Sequence, residues 1–323
     1  MKKYIIGVDI GGTHTKVALL DLSGHILHKT DFLTKNYKSE RLIKAVFLAV
    51  ESIIEKKNIR KRDILGLGIG LPGLVDFKKG LVFCLTNIPG WKNVALKRIL
   101  ENKIGLPVFV DNDVKIMAMG ELRFGAGKGY KNIICMTLGT GVGGAVIIDG
   151  NLYRGSSLVA GEIGHIPINE AGPSCDCGSS GCLEAYVGRE YFLNNARKRL
   201  RNAPSAAVMK MTKGDISLLT PEILREAAVK GDRFSKEMWR EMGLHIGNAL
   251  AGVVNLLNPQ IIIIGGGMAG AGEVLFGSIR KAVAKKSMRL PGRAVKIVRA
   301  RLGNDAGVIG AAEIVKDNIG VRP

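Results

Sequence analysis

The sequence predicts an α/β fold in two lobes, and three observations support this prediction. Strand-like and helix-like apolar patterns alternate along the chain without a long linker or a low-complexity segment. The length of 323 residues exceeds the roughly 100 to 200 residues typical of one domain. Finally, a strand, glycine-rich turn and strand unit around Gly11 and Asp21 has a counterpart around Gly139 and Asp149, which indicates a structural duplication.

In the first lobe, we expect a hairpin-rich sheet followed by a helix. The sequence predicts strands over residues 4–9, 16–22, 25–32, 64–70 and 107–111. Apolar residues between 39 and 57 recur at spacings of three and four, which predicts an amphipathic helix. A second helix is expected over residues 113–124. The second lobe repeats the pattern, with strands expected at residues 145–148 and 261–264.

The composition indicates a globular chain with enough apolar residues for a sizeable core, because 46% of the residues are hydrophobic and 23% are charged. The apolar stretch at residues 242–257 is interrupted by polar side chains and falls short of the about 20 residues that a membrane span needs. The first residues, Met1-Lys2-Lys3, lead directly into the first predicted strand without the apolar core of a signal peptide. We therefore expect a cytoplasmic protein without a membrane partner.

The net charge of +19, from 47 Lys and Arg against 28 Asp and Glu, raises the possibility of a nucleic-acid partner. The basic clusters are scattered, however, and lack the interleaved aromatic residues on which bases stack. We expect no specific nucleic-acid binding. A lysine-rich surface of this kind also favours encounter with anions such as nucleotide phosphates.

Two glycine patterns, Gly68-x-Gly70-x-x-Gly73 and Gly139-x-Gly141-x-x-Gly144, match the glycine spacing of the dinucleotide-binding motif. Neither pattern is followed by a predicted helix, so neither supplies the helix amino terminus that binds a pyrophosphate in a Rossmann dehydrogenase. A Walker sequence is also absent from the chain. The sequence therefore disfavours both of these nucleotide-binding folds.

The remaining interpretation is a phosphate site made by hairpin turns, in which glycines permit close backbone approach. The first turn offers a carboxylate able to hold hydrated magnesium, and the second turn is its counterpart in the other lobe. A third glycine turn, after the strand at 261–264, suits an adenine and a ribose. Taken alone, the first segment could also be an ordinary tight turn. The candidate nucleotide-binding residues are Asp9, Gly11, Gly12, Thr13, Lys16, Gly139, Thr140, Gly141, Gly143, Gly266 and Gly267.

Three of the five cysteines are closely spaced, as Cys175-x-Cys177-x4-Cys182, with His165 ten residues upstream. Their thiolates and the imidazole could form a closed tetrahedral shell, which is typical of structural rather than catalytic zinc. A disulfide and a redox-sensing cluster are the alternatives, of which the first is disfavoured in a cytosolic chain. We expect Cys84 and Cys135 to be inert core residues.

The positions of three carboxylates in the sequence suggest a role in substrate binding or catalysis. Glu162 and Glu184 flank the cysteine segment, where a metal could fix them so that they accept hydrogen bonds from vicinal sugar hydroxyls. Ordinary surface glutamates are the alternative. Asp113 lies between a predicted strand and a predicted helix, a usual place for catalytic side chains, although a helix N-cap explains it equally well.

Taken together, these segments resemble the ROK family of sugar kinases and sugar-responsive repressors, part of the actin-like, RNase H-like ATPase superfamily. The resemblance covers nearly the whole chain. The segments that match the motifs of the family are residues 9–16, Gly70-Leu71-Pro72-Gly73, Asn87-Ile88-Pro89-Gly90-Trp91, Asn112-Asp113, residues 138–144, Gly161-Glu162-Ile163-Gly164-His165, residues 175–184 and Gly303-Asn304-Asp305-Ala306-Gly307.

The resemblance implies a two-lobed actin-like fold with a duplicated hairpin-sheet domain. On this basis we expect a small lobe at residues 1–115, completed by 301–323, and a large lobe at 116–300 with the zinc loop and a dimer surface. Asp113 would act as the catalytic base for the attacking sugar hydroxyl, and ATP would bind with Mg²⁺. The residues expected to line the sugar pocket are Gly73, Asn87, Asn112, Asp113, Glu162, His165 and Glu184.

By the same resemblance, the expected activity is ATP-dependent phosphorylation of a hexose, with glucose as the first choice. N-acetylglucosamine, N-acetylmannosamine and fructose are the alternative sugars. A sugar-responsive transcription regulator is the alternative from another class, but such regulators carry an additional amino-terminal helix-turn-helix domain, and here the phosphate turn begins at residue 7. We expect a homodimer or homotetramer.

The chain departs from the family pattern beside the expected base. Asp111 stands where the family more often has Glu, and Val114-Lys115 stand where Ala-Asn is usual. The side chain of Lys115 could point away from the site or lie near the phosphates, and the sequence does not decide between these.

Overall fold

The computed structural model describes residues 2–34, 37–85, 88 and 90–321. The chain divides into two compact units, and each is described by itself. The first unit comprises residues 1–129, 152–160 and 301–323, and the second comprises residues 130–151 and 161–300. Strands and helices are numbered in chain order throughout.

The first unit contains a five-stranded sheet in the order β3-β2-β1-β4-β8. Strands β1, β2 and β3 are antiparallel neighbours, whereas β4 runs parallel to both β1 and β8. These strands are β1 Tyr4–Ile10, β2 His14–Asp21, β3 Ile26–Leu33, β4 Ile64–Leu71 and β8 Val108–Asn112. A smaller antiparallel sheet consists of β5 Leu74–Asp76, β6 Leu81–Cys84 and β7 Lys92–Val94.

Four α-helices belong to the described part of the first unit: α1 Ser39–Lys56, α2 Leu96–Ile104, α3 Asp113–Phe124 and α11 Ala306–Ile319. Helix α1 buries Val46, Val50 and Ile53 on one face, as its apolar spacing predicts. Helices α3 and α11 cross so closely that a Cβ at Gly310 would lie 1.6 Å from the carbonyl oxygen of Ile116. Only glycine permits this approach.

The second unit repeats the sheet topology, in the order β11-β10-β9-β12-β13. Again two strands form an antiparallel hairpin, and the first of them is parallel to a strand from later in the chain. The strands are β9 Ile133–Leu138, β10 Val142–Ile148, β11 Asn151–Tyr153, β12 Ile261–Gly265 and β13 Lys296–Arg299. The duplication predicted from the sequence is therefore confirmed.

Seven α-helices belong to the second unit: α4 Glu184–Val187, α5 Arg189–Asn202, α6 Ala206–Met211, α7 Pro221–Val229, α8 Arg233–Leu257, α9 Glu273–Lys286 and α10 Arg289–Ala294. Short 3₁₀ segments lie at Lys61–Asp63, Ile163–His165, Ile216–Leu218, Gly267–Ala271 and Gly303–Asp305. Asp232 caps α8 by accepting a hydrogen bond from the Ser235 amide. Among the described residues, none of the helices is long and apolar enough to cross a bilayer.

Two expectations differ from the structure. Cys84, expected in the core, is exposed, because it is the last residue of β6 in the small three-stranded sheet, where burial ends although Val82 on the same face is buried. Cys135 is buried, as expected. The predicted lobe boundary at 115–116 falls inside helix α3, whereas the structure keeps this helix whole in the first unit. Its tight packing against α11 is the physical reason.

Candidate functional site

The glycine turn of the first unit connects β1 and β2. The Gly11 amide donates a hydrogen bond to the carbonyl of His14 at 3.0 Å and closes the turn, and Gly12 and Thr13 are exposed. Asp9 and Lys16 are partners across the hairpin, and the Lys16 ammonium donates to the carbonyl of Asn304 at 2.8 Å. The turn thus combines exposed backbone with one carboxylate and one ammonium group.

Asp9 lies in a confined place, because a Cβ at Gly307 would come within 2.3 Å of its carboxylate. Burial raises the pKa of Asp9, and the positive charge of Lys16 opposes this shift. A carboxylate that is costly to ionise benefits from a nearby cation. Asp9 therefore suits an interaction with hydrated Mg²⁺, a cation that prefers oxygen ligands.

The junction of β8 and α3 places Asn112 and Asp113. The Asn112 side-chain oxygen caps the helix by accepting hydrogen bonds from the amides of Val114 and Lys115, and its Nδ2 donates to the carbonyl of Gly73 at 3.3 Å. Asp113 is the first helical residue and is half-buried, with its Oδ1 accepting from the Val114 amide at 2.9 Å. Asn112 is therefore the N-cap, and the N-cap interpretation of Asp113 is wrong.

The strand register brings this junction to the same sheet edge as the glycine turn. Asp9 on β1 is in register with Gly70 on β4, which is in register with Asp111 on β8. The carboxyl ends of parallel strands meet at one edge of a sheet, which is the usual place for functional side chains in α/β folds. Gly73 follows β4 at this edge and has a φ of 106°, a conformation that favours glycine.

A buried ion pair lies next to this junction, between Asp111 and Arg154. The Asp111 side chain is 4% exposed, and its second oxygen accepts a hydrogen bond from the Asn112 amide at 2.8 Å. The Arg154 guanidinium also lies 3.7 Å from the centre of the Phe77 ring, a cation–π arrangement. Sequence reasoning missed Arg154 because a single arginine outside any motif gives no signal of a distant partner.

In the second unit, Glu184 is tied to the glycine turn between β9 and β10. The Gly139 amide closes this turn by donating to the carbonyl of Gly141 at 3.0 Å. The Val142 amide donates to Glu184 Oε2 at 2.7 Å, and a Cβ at Gly141 would lie 2.3 Å from the same oxygen. The turn and the carboxylate thus form one cluster. Thr140 at the turn is exposed, and Gly143 lies on β10.

The 3₁₀ segment Ile163–His165 packs on the same strand. A Cβ at Gly164 would lie 2.2 Å from the carbonyl oxygen of Val142, and one at Gly144 would lie 2.1 Å from that of Gly161. These two contacts require residues without side chains. They explain the glycine at position 144 on β10 and the glycine at position 164, which lies between the exposed Glu162 and the half-buried His165.

The four predicted metal ligands, His165, Cys175, Cys177 and Cys182, lie together, with their ligand atoms all within 4.8 Å of one another. The Cys177 and Cys182 sulfurs are 3.7 Å apart, as are the Cys175 sulfur and His165 Nδ1. Zinc–sulfur bonds of about 2.3 Å at tetrahedral angles would separate two sulfurs by about 3.8 Å. The four residues therefore fit a metal ion, and the sulfur separation is too long for a disulfide.

A bound cation would change the ionisation of these thiols. Burial raises the pKa of Cys175 to about 12 and is also the main cause of the raised pKa of Cys182. The Ser179 amide lowers the pKa of the exposed Cys177. Cys175 and Cys182 therefore resist ionisation, and a bound metal ion would supply the positive charge that favours their thiolate forms.

Gly266 and Gly267 follow strand β12, next to the end of β9. Gly266 has a φ of 86°, and a Cβ there would lie 2.2 Å from the carbonyl oxygen of Leu138. Both glycines are exposed, and a small cavity beside Gly267 is lined partly by Glu222 and Arg225. This third glycine turn therefore lies at the same sheet edge as the turn at Gly139.

The structure groups the predicted residues within each unit. The first unit collects Asp9, Gly11, Gly12, Thr13, Lys16, Gly73, Asn112 and Asp113. The second unit collects Gly139, Thr140, Gly141, Gly143, Glu162, His165, Cys175, Cys177, Cys182, Glu184, Gly266 and Gly267. Asn87 lies outside the described residues.

Comparison with known proteins identifies the family. The sequence model of the ROK family matches residues 5–318. A glucokinase of Thermotoga maritima is 37% identical over 321 residues, which cover 99% of each chain. The crystal structure of a ROK family glucokinase from Streptomyces griseus in complex with glucose and AMPPNP is 35% identical, with a TM-score of 0.85 over 97% of this chain and 99% of that one.

A xylose repressor of Bacillus subtilis is 30% identical over 98% of this chain and 77% of its own length. Glucokinases and a repressor therefore both resemble this protein. From its sequence and its two-unit α/β structure, the chain belongs to the ROK family and has the actin-like ATPase fold of that family.

Proposed function

We propose that this protein transfers the γ-phosphoryl group of ATP to glucose, giving glucose 6-phosphate and ADP. The observation that carries the proposal is the similarity to glucokinases along nearly the whole chain, at 37% and 36% identity for those of Thermotoga maritima and Halalkalibacterium halodurans. The similar glucokinase structure from Streptomyces griseus was solved with glucose and AMPPNP, an ATP analogue. Groups suited to both substrates are present in this chain.

Asp113 is proposed as the catalytic base. Because Asn112 caps helix α3, capping does not account for the carboxylate at position 113. In the proposed reaction, the sugar hydroxyl oxygen attacks the γ-phosphorus, its proton passes to the Asp113 carboxylate, and the bond from the γ-phosphorus to the bridging oxygen of ADP breaks. A general base of this kind contributes about 10²- to 10⁴-fold to the rate.

The glycine turns are proposed to bind ATP. Since the amides of Gly11 and Gly139 close their own turns, the phosphate-binding donors of each turn are expected after its first glycine, at Gly12, Thr13, Thr140 and Gly141. Asp9 would hold hydrated Mg²⁺, which neutralises charge during phosphoryl transfer. Gly143 and Lys16 would support the turns, and Gly266 and Gly267 would accommodate the adenine and ribose.

The sugar is proposed to bind through the remaining polar groups. Asn112 Nδ2 carries two N–H bonds, and one donates to Gly73, which leaves the other for a sugar hydroxyl. The Nδ1 atom of His165 faces the Cys175 sulfur. Nδ1 would therefore bind the metal, and Nε2 would be left to form a hydrogen bond with the sugar. Glu162 and Glu184 are suited to accept hydrogen bonds from vicinal hydroxyls. Asn87 joins this proposed set through the family resemblance alone.

The metal at the Cys₃His cluster is proposed to be zinc in a structural role. Four protein ligands complete a tetrahedral shell and leave no position for a substrate, as in structural zinc sites. The ion would fix the loop next to Glu184 and, through His165, the segment that carries Glu162. Elemental analysis of the purified protein tests this proposal, with about one zinc per chain expected. Protein that contains no zinc would contradict it.

An ATP-coupled assay over four sugars tests the proposed function. Glucose is expected to give the highest kcat/KM, followed by N-acetylglucosamine, N-acetylmannosamine and fructose in any order. A reaction without sugar measures ATP hydrolysis and is the control. Phosphorylation of another sugar in preference to glucose would correct the substrate, whereas no phosphorylation of any sugar would overturn the kinase proposal.

A sugar-responsive regulator is the second candidate, because xylose repressors are among the similar proteins and the net charge is +19. Sequence-specific DNA binding that weakens steeply with salt would support it. Binding that shows no preference among DNA sequences would instead reflect the basic surface alone.

The proposal also includes a cytoplasmic location and assembly as a homodimer or homotetramer. The assembly rests on the family resemblance, and the location rests on the expectation already drawn from the sequence. Light scattering coupled to size-exclusion chromatography tests the assembly, and a monomer at micromolar concentration would contradict it.

A further inference from the structure

Lys115 lies in the first turn of helix α3 and is buried, with 5% of its surface exposed. Its ammonium donates a hydrogen bond to the carbonyl of Leu158 at 2.7 Å. A cation at a helix amino terminus faces the positive end of the helix dipole, and a buried ammonium loses its hydration. The contact with Leu158 O is thus made at a place that is otherwise unfavourable for a lysine.

The partner of Lys115 has an unusual backbone conformation. Leu158 has a φ of 68°, in the left-handed region that bulky residues rarely adopt. Such strain persists only where surrounding contacts determine the conformation. The Leu158 amide donates to the carbonyl of Gly155 at 3.4 Å, and the Ala160 amide donates to that of Arg154 at 3.0 Å, so residues 154–160 form a closed loop.

The 154–160 segment is attached at two points to the strand–helix junction that carries Asp113. Arg154, at its start, pairs with Asp111 at the end of β8. Lys115, from the first turn of α3, binds the carbonyl of Leu158 near its other end. In the sequence, the segment leads directly into Gly161 and Glu162. The segment and the junction both belong to the first unit.

We propose that Lys115 is a positioning residue for sugar binding, which holds the 154–160 segment, through the Leu158 carbonyl, against the helix turn that carries Asp113. This proposal rests on the proposed function, because it takes Asp113 as part of the sugar site. A segment that is ordered before the sugar arrives loses less conformational entropy on binding. Lys115 thereby raises sugar affinity without contacting the sugar.

The test measures glucose binding by calorimetry in the absence of ATP. Lys115→Met keeps the apolar stem but removes the donor, and it is expected to raise the glucose Kd about tenfold, the order expected for one charge-assisted hydrogen bond. The affinity for an ATP analogue is expected to change by about twofold or less, because the nucleotide groups lie on other elements. Hydrogen exchange of residues 154–160 is expected to become faster.

Lys61→Met is the matched control. Lys61 lies in the same unit, and its ammonium likewise donates to a backbone carbonyl, that of Ile104 at 3.0 Å. This variant is expected to leave the glucose Kd within about twofold of the wild type, as for other sites remote from the binding groups. It is also expected to leave exchange at 154–160 unchanged.

Leu158→Gly supplies the rescue experiment. Glycine adopts a positive φ without strain, so the double variant Lys115→Met/Leu158→Gly is expected to recover most of the lost glucose affinity. If Lys115 had only a structural role, Lys115→Met would lower the melting temperature and the folded fraction, but the glucose Kd of the folded protein would stay the same. If Lys115→Met does not fold, Lys115→Gln replaces it with the same expected direction, since the shorter neutral amide does not reproduce the ammonium contact.

Three results would overturn the proposal: a glucose Kd of Lys115→Met equal to that of the wild type, unchanged exchange at 154–160, or a double variant that stays as weak as Lys115→Met. A wild type that binds glucose without phosphorylating it would overturn the proposed function only, and the Kd comparison would still decide the role of Lys115. A wild type that binds none of the four sugars would overturn both.

Discussion

The two units share one sheet topology, but they differ in the residues that lie on the strands beside their glycine turns. In the first unit, the strand ends beside the turn carry Asp9 and Lys16, which are in register with each other. In the second unit, the corresponding register pairs the uncharged Thr137 and Gly143. The repeated topology therefore determines where a phosphate-binding turn lies, whereas individual substitutions determine which turn carries the charges for a metal–nucleotide complex.

The units also differ in what holds their candidate residues in place. The first unit uses the buried Asp111–Arg154 pair beside the helix that begins at Asp113. The second uses a loop of cysteines close enough to share a metal ion with His165. One unit should therefore be sensitive to the loss of an internal ion pair, and the other to the loss of a metal.

The largest effect is expected from metal loss in the second unit. Cys177→Ser removes one of four ligands, and the bound zinc is expected to fall from about one per chain to a small fraction, because structural zinc supplies much of the folding free energy of its loop. Hydrogen exchange of residues 165–182 should then become faster, whereas β1 and β4 of the first unit should keep their protection. Elemental analysis and exchange measure both effects.

Cys84→Ser is the matched control, since Cys84 is an exposed cysteine of the first unit, outside the ligand cluster. It is expected to leave the zinc content and the exchange rates unchanged. Equal zinc contents in Cys177→Ser and Cys84→Ser would contradict the ligand assignment.

A smaller but substantial effect is expected from Arg154→Met in the first unit. The substitution leaves the buried Asp111 carboxylate without its partner, which typically costs about 3 to 5 kcal/mol. Arg280→Met in the second unit removes an ion pair with Glu273 whose side chains are 42% and 80% exposed and a hydrogen bond to the carbonyl of Ile297, for which about 0.5 to 2.5 kcal/mol in total is expected. Hydrogen exchange of β8 and β13 at increasing urea concentration measures the two losses, and equal losses would contradict the proposed difference between the units.

The smallest effect concerns the caps of two helices and their dependence on pH. Burial raises the pKa of Asp232, but hydrogen bonds from Ser205 and Ser235 outweigh burial and hold it below its ordinary value of 3.8. The carboxylate therefore stabilises helix α8 above that value, and this stabilisation is lost as the pH falls through the lower pKa of the folded state. Helix α3, capped by the neutral Asn112, lacks this dependence at its cap.

Asp232→Asn tests this point, because asparagine also caps helices well and is uncharged. The melting temperature of the variant is expected to be slightly lower than that of the wild type near neutral pH, by an amount that corresponds to less than about 1 kcal/mol. The difference should shrink as the pH falls below the ordinary aspartate value of 3.8 and through the lower pKa of the folded state, where the wild-type carboxylate becomes protonated. A difference that grew in acid would contradict the direction of the pKa shift.

Patterns that depend on neighbouring residues were predicted well. Helix α3 begins and ends at the predicted residues. The spacing of His165, Cys175, Cys177 and Cys182 predicts a cluster, and the structure brings their ligand atoms within 4.8 Å of one another. Apolar periodicity and turn glycines are local signals, so they are present in the sequence itself. The alternation of strands and helices then sufficed for the fold class.

The expectations that were wrong or missing depend on contacts between distant residues. Two adjacent polar residues, Asn112 and Asp113, were both suitable for capping, and only backbone geometry showed that Asn112 caps α3. The pairs of Arg154 with Asp111 and of Lys115 with Leu158 join residues 43 positions apart. No local pattern reports such pairs, and for the same reason the sequence did not show that residues 152–160 pack with the first unit.

The most direct test of the kinase account is the rate of glucose 6-phosphate formation in a single turnover, compared between the wild type and Asp113→Asn. The substitution preserves the size of the side chain but removes the base. The account predicts a rate about 10²- to 10⁴-fold lower, with the glucose Kd changed by about threefold or less, since ground-state contacts at the other sugar-binding groups remain. A variant that formed glucose 6-phosphate at nearly the wild-type rate would contradict the assignment of Asp113 as the base.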